Sequence, residues 1–196
     1  YKYRAMNGDA NAKLVIRQGI WKAYDDITQR PPHTQSFADA EAQFLMIRMI
    51  ESVPSLLTEK EKIKVLNLVK GYIKGGILAK DLENRAIVAS ARWQYLVNYL
   101  YENNFVDGQT KHEFDGLLFA KINAAIKMSI DKNSWYFETK QKLFSPHYQV
   151  VSAFSLLAFG SMTGEHKYLD LAKKMYFNIK KISFSNGLVE AKIGHR

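Results

Sequence analysis

At 196 residues with 47% hydrophobic content, the chain is long enough to bury a core, which excludes wholesale disorder. The absence of cysteine excludes a disulfide scaffold, a thiol nucleophile and any cysteine-ligated metal site, and eleven glycines with four prolines are too few for an all-β sandwich. A net charge of +9 points to a polyanionic partner or substrate.

Helical periodicity then dominates the chain. Asp9 is placed to cap a first helix to about Thr28, with Leu14, Ile16, Ile20, Trp21, Tyr24 and Ile27 on one stripe. Arg30-Pro31-Pro32-His33 stops it. Ser36 opens a second helix to about Ser52, and Pro54 ends that one. Thr58 and Glu61 form a capping box for a third, which interleaves Lys60, Lys62, Lys64 and Lys70 with Ile63, Leu66, Val69 and Ile73 and is expected to stop at Gly75-Gly76. Asp81 is expected to cap a fourth helix to about Asn103, and Asp107-Gly108 leads into a fifth, Thr110 to Ile130. A stretch without helical period follows, Asp131 to Phe144, with the strand-like Trp135-Tyr136-Phe137. Ser145 and Pro146 suit the N-cap and first position of a sixth helix, which Thr163-Gly164 ends. The seventh starts near Glu165.

The second, fourth and sixth helices are apolar nearly all round in their later turns, so burial on most faces is expected; the third, fifth and seventh are amphipathic and lysine-rich. Alternating inner and outer helices predict repeating antiparallel hairpins, a helical solenoid or an α/α toroid. Inner helices start near Ser36, Asn84 and His147, and the first step repeated from His147 lands on His195. A looser repeat runs beside it. Asn133-Ser134-Trp135-Tyr136-Phe137-Glu138 precedes Ser145-Pro146-His147, as Ser185-Asn186-Gly187-Leu188-Val189-Glu190 precedes Gly194-His195-Arg196.

Inner helices pointing the same way bring their N-termini to one mouth, where free amides and helix dipoles favour an anion. Glu83, Asn84 and Arg85 stand there on one helix, His147, Tyr148 and Gln149 on another, and His195 and Arg196 on a third, while His33 and Gln35 precede the remaining one. Trp135, Tyr136 and Glu138 lie in the long irregular connection, where binding residues concentrate, and Trp135 offers a flat face to a sugar.

The run Tyr148-Gln149-Val150-Val151-Ser152-Ala153-Phe154-Ser155-Leu156-Leu157, then Thr163-Gly164 and Tyr168-Leu169-Asp170-Leu171-Ala172, resembles the helix hairpins of α/α-toroid carbohydrate-active enzymes, above all the alginate lyase and heparinase-like polysaccharide lyases. In alginate lyases an Asn-Asn-His triplet opens one inner helix, and a later Arg and Tyr complete the site. Glu83-Asn84-Arg85 stands where that triplet belongs, keeping its second Asn and replacing its His by Arg85. Pro146-His147-Tyr148-Gln149 resembles the later stretch, although the nearest basic residue upstream of Tyr148 is Lys142. The resemblance implies a partial α/α toroid that binds an acidic, uronate-containing polysaccharide and cleaves it by β-elimination. Asn84, Arg85, His147 and Tyr148 are then the catalytic set, and Trp135, Glu138, Gln149, His195 and Arg196 the substrate contacts.

Such chemistry needs donors to neutralise the sugar carboxylate, which Asn84 and Arg85 supply, and a base and an acid, for which Tyr148 and His147 are the available pair. The same residues have plainer uses. Asn84 and Arg85 suit a helix cap and a surface ion pair, His147 a first-turn contact, Tyr148 and Trp135 packing, and Trp21 and Trp93 the core. A toroid glycoside hydrolase using Glu138 and Glu190, or a helical-repeat module that binds glycan or protein without catalysis, are the alternatives.

No Gly-rich phosphate loop, His-x-x-x-His pair or serine elbow appears, so neither a metal nor another cofactor is expected, and no nucleic-acid recognition motif accompanies the charge. The longest run free of Asp, Glu, Lys and Arg, Leu143–Gly164, contains Pro146, His147, Gln149 and four serines and reads as a buried helix rather than a membrane span. Residues 1–196 are expected to form one toroid-like domain, read as a trimmed piece of a longer protein exported to the periplasm or beyond, where such glycans are met. Six hairpins at roughly 50 residues each need about 300 residues, so seven helices make only part of a ring.

Overall fold

The computed structural model describes residues 1–29, 36–53, 55–81, 84–138 and 143–183. They form eight helices: α1 (Lys2–Met6), α2 (Ala10–Thr28), α3 (Ser36–Ser52), α4 (Glu59–Leu78), α5 (Asn84–Glu102), α6 (Gly108–Ser129), α7 (Pro146–Thr163) and α8 (His166–Lys181). One ribbon joins β1 (Phe137–Glu138) to β2 (Leu143–Phe144), antiparallel, with Phe137 opposite Phe144. The protein is all-α, as the periodicity predicts, and the strand-like segment supplies the ribbon. No described helix is long and apolar enough to cross a membrane.

Four helix starts follow from local chemistry. The Asp9 carboxylate accepts from the Ala12 amide at 2.9 Å and that of Asp107 from the Thr110 amide at 2.7 Å. These bonds hold both carboxyls below their usual range, the backbone amide being the largest cause in each case. Thr58 and Glu61 close the predicted capping box. Ser145 and Pro146 open α7, and Gly164 ends it with φ +73.

Two predicted boundaries move. Helix α4 runs through Gly75-Gly76 to Leu78, because buried Gly76 faces the indole of Trp93 on α5 and acts as a packing notch. Its last carbonyls are taken instead by Lys121 of α6, whose ammonium donates to Ile77 O at 3.0 Å and Ala79 O at 2.8 Å, a cation at a helix C-terminus. Asp81 does not cap α5, which begins at Asn84; its carboxylate pairs with the same Lys121 at 2.8 Å.

The helices pack in two rows. Helix α5 lies between α3 and α7, forming the inner row. The outer row runs α2, α4, α6, α8. Arg17 of α2 pairs with Glu61 of α4 at 2.5 Å, α4 packs on α6, and Tyr168 of α8 donates to Asn123 of α6 at 3.0 Å. Connections of a few residues between α3 and α4, α5 and α6, and α7 and α8 make each pair an antiparallel hairpin, so the inner helices run the same way.

Between the rows lies one core. Ile47, Ile73, Trp93, Leu96, Leu118 and Phe159 are almost wholly excluded from water, and each such side chain contributes about 1.5–3 kcal/mol. Helix α5, at the centre, buries eleven residues. Trp93 is core as expected, whereas Trp21 is half-buried, edge-on to Tyr24 with Lys64 above both rings. Helix α7 departs from expectation: although apolar nearly all round, it leaves Phe154 and Leu157 exposed.

Candidate functional site at the inner-helix starts

The irregular segment before α7 is built by one carboxylate. Asp131 accepts from the amides of Asn133 and Trp135 at 2.9 and 2.8 Å, closing a tight loop. Ser134 takes a left-handed φ of +65 inside it, a conformation that costs a non-glycine residue energy and needs support from its surroundings. Two amides supply that support. Gln149 of α7 and Asn178 of α8 both donate to Ser134 O, at 2.9 and 3.2 Å, and Asn178 also reaches Asn133 O at 2.8 Å.

Gln149 does more. Its carbonyl accepts from the Tyr136 amide at 2.5 Å, and its NH2 group also donates to Met175 O at 3.1 Å. It is fully buried. Its amide is spent on hydrogen bonds within the fold.

Tyr136, fixed in this way, is buried and carries its hydroxyl across to α5. The backbone N–H of Asn84 donates to that hydroxyl at 2.8 Å. The Tyr136 ring lies 6.1 Å from that of Tyr148, which lies 5.4 Å from His147. The structure therefore brings Asn84, Tyr148 and His147 together at the start of two inner helices, with Tyr136 as the link. Tyr148 is half-buried, whereas His147 and Arg85 are exposed. Trp135 packs edge-on to Phe144 at 5.0 Å and is half-buried, as is Glu138 on the ribbon. His33, Gln35, Glu83, Lys142, Glu190, His195 and Arg196 lie outside the described residues. Among the described residues no three His, Asp or Glu side chains stand close enough to hold a metal ion.

A second polar group sits at the other end of the inner row. The Tyr95 hydroxyl of α5 donates to Glu51 of α3 at 2.7 Å, and Arg48 reaches Glu51 at 2.6 Å and that hydroxyl at 3.4 Å. Burial, then the bond to Glu51, pushes Tyr95 up to about 12. Its bond with Tyr95 is also the main reason that Arg48 is raised. Nearby, Arg92 pairs with Glu41 and lies 5.0 Å from the Phe37 ring, and burial lowers its pKa. These charges are matched in pairs, so the cluster ties α3 to α5. The mouth, by contrast, leaves two basic side chains facing water.

Sequence reasoning passed over this cluster, and it placed Tyr136 in the functional connection without its link to α5. The three-residue spacings Arg48/Glu51 and Arg92/Tyr95 mark shared helix faces, and these were the available signal. No family model, curated protein or solved structure matches the chain.

Proposed function

We propose that the chain is part of an α/α toroid that binds an acidic, uronate-containing polysaccharide at the shared start of α5 and α7 and cleaves it by β-elimination. One observation carries this reading: the Asn84 amide on the Tyr136 hydroxyl, which joins the start of α5 to the aromatic pair Tyr136–Tyr148 beside exposed His147 and Arg85.

In this reading the Asn84 side chain and the Arg85 guanidinium donate to the sugar carboxylate, withdrawing charge from the carbon beside it. Tyr148 takes the proton from that carbon. The electron pair forms the new carbon–carbon double bond as the bond to the glycosidic oxygen breaks, and His147 gives the leaving oxygen its proton. Trp135 and Glu138, on the segment before α7, are the further sugar contacts in this reading, and His195 and Arg196, outside the described residues, belong to the same expected set. The net charge of +9 draws a polyanion, and export to where such glycans occur fits the same substrate.

The test is a panel of polyuronates, alginate and heparin-type glycans among them, followed by ultraviolet absorbance of the unsaturated product. The expected result is a rise that disappears in Arg85→Ala and in Tyr148→Phe, with both variants folded by circular dichroism. Reducing ends without ultraviolet absorbance would replace elimination by hydrolysis through Glu138. Silence in both assays on every glycan would overturn catalysis and leave a binding module.

A further inference from the structure

Phe177 stands on the face of α8 that points away from the core. Tyr168, 1% exposed, marks the buried face of this helix. Phe177 follows it by nine residues, which is about two and a half turns and so the opposite side. Its ring is 48% exposed. The groove between α7 and α8 takes in Leu169 and Tyr176 but not Phe177. A further hairpin continuing the two rows would therefore leave Phe177 facing water.

The nearest surface neighbours of a helical residue lie three and four positions away. For Phe177 these are Lys173, Lys174, Lys180 and Lys181, all exposed. Lys180 Nζ lies 5.8 Å from the Phe177 ring and 5.4 Å from the Tyr176 ring, and the two rings are 6.1 Å apart. On the adjoining outer helices, Lys74, Lys111 and Lys121 each hold a carboxylate, those of Glu113, Asp115 and Asp81, at 2.6–2.8 Å. Among the described residues, none of the four lysines around Phe177 has such a partner; Lys181 donates to the neutral amide of Asn178 at 3.0 Å. Asp170, the one acid in α8, is about two turns before Phe177. The result is a flat apolar ring inside a frame of unmatched cations.

We propose that this face of α8 is a second, non-catalytic binding site for the acidic polysaccharide. The inference rests on the polyuronate substrate read above. Each ring of such a polymer has an apolar C–H face to lie on Phe177 and a carboxylate at its edge for a lysine. The lysine pairs sit one turn to either side of Phe177, about 5 Å along the axis each way, which suits a chain running past the ring. Lysines are mobile point charges rather than rigid forks, so they hold a sliding polymer without fixing its register. A polymer held here is kept at high local concentration for the mouth at α5 and α7.

The test measures binding of polymeric alginate and heparin by titration calorimetry at low and high salt. It compares the wild-type chain, Phe177→Ala and the double variant Lys174→Gln/Lys180→Gln, each checked by circular dichroism. Both variants are expected to bind the polymer about tenfold more weakly, the double variant with a shallower salt dependence. Turnover of short oligouronates, followed by ultraviolet absorbance, should stay at the wild-type level. Polymer binding lost in these variants of a chain that eliminates nothing would refute the lyase reading and leave this site standing. Polymer binding unchanged in both variants, or absent from the wild-type chain, would overturn the inference. Binding to phosphatidylserine vesicles but to neither glycan, lost in both variants, would also overturn it and assign the patch to an anionic membrane surface.

Discussion

Gly76 of α4 lies so close to the indole of Trp93 on α5 that a Cβ at that position would sit well inside van der Waals contact with the ring. The tryptophan is wholly buried and has nowhere to retreat. Gly76→Ala is therefore expected to destabilise the fold by about 1–3 kcal/mol, the usual penalty of overpacking. Gly71, on the same helix, is exposed with nothing within 4 Å of its added Cβ. Gly71→Ala should stabilise by about 0.5–1 kcal/mol through helix propensity. Chemical denaturation of both variants checks the pair, and opposite signs are the expected outcome.

Tyr136→Phe removes the acceptor of the Asn84 amide while keeping the ring that packs on Tyr148. The first amide of α5 then loses its partner, at a cost of about 1–2 kcal/mol. Hydrogen exchange at Asn84 should quicken more than at the middle of α5. If the proposed site is correct, glycan binding also weakens although no group expected to touch the sugar has changed.

Gln149→Leu keeps the volume and loses three hydrogen bonds. The Tyr136 amide is left buried without its acceptor, and Ser134 O keeps only Asn178. A loss of about 2–3 kcal/mol is expected from unfolding in denaturant. A variant as stable as the parent would show that the loop does not depend on this amide.

Tyr95 sets a pH dependence at the alkaline end. Its folded pKa is raised to about 12 by burial and by its bond to Glu51, above an unfolded value of about 10. Between those values the unfolded chain has already lost the proton that the native chain retains. The contribution is complete below about pH 10 and is lost as pH rises toward 12. Comparing unfolding free energy in the parent and in Tyr95→Phe across this window isolates it from the other tyrosines and lysines. The variant should show the shallower decline.

Much of the architecture was legible in the sequence because local chemistry decided it. Asp9, Thr58 with Glu61, Ser145 with Pro146, and Gly164 each announce a helix end through groups within four residues. The failures were long-range. Gly75-Gly76 reads as a stop until Trp93, seventeen positions beyond Gly76, occupies the notch, and Asp81 reads as a cap until Lys121 reaches it from another helix. The site divides the same way. That the starts of α5 and α7 share one mouth follows from hairpin alternation, which is periodic and visible. That Tyr136 is the residue joining them, and that Gln149 is consumed in holding it, depends on contacts between α5, α7, α8 and a loop. No spacing within one segment encodes those contacts.

The loop carrying Tyr136 is gripped by Asp131 from within and by Gln149 and Asn178 from two helices. Its conformational freedom is surrendered when the chain folds, before any ligand arrives. If the proposed site binds a glycan, this loop adds little to the ordering penalty on the protein's side of association. Differences in affinity among glycans would then report the glycans' own stiffness and charge spacing more than any rearrangement of this loop, a rigid gauge rather than a glove.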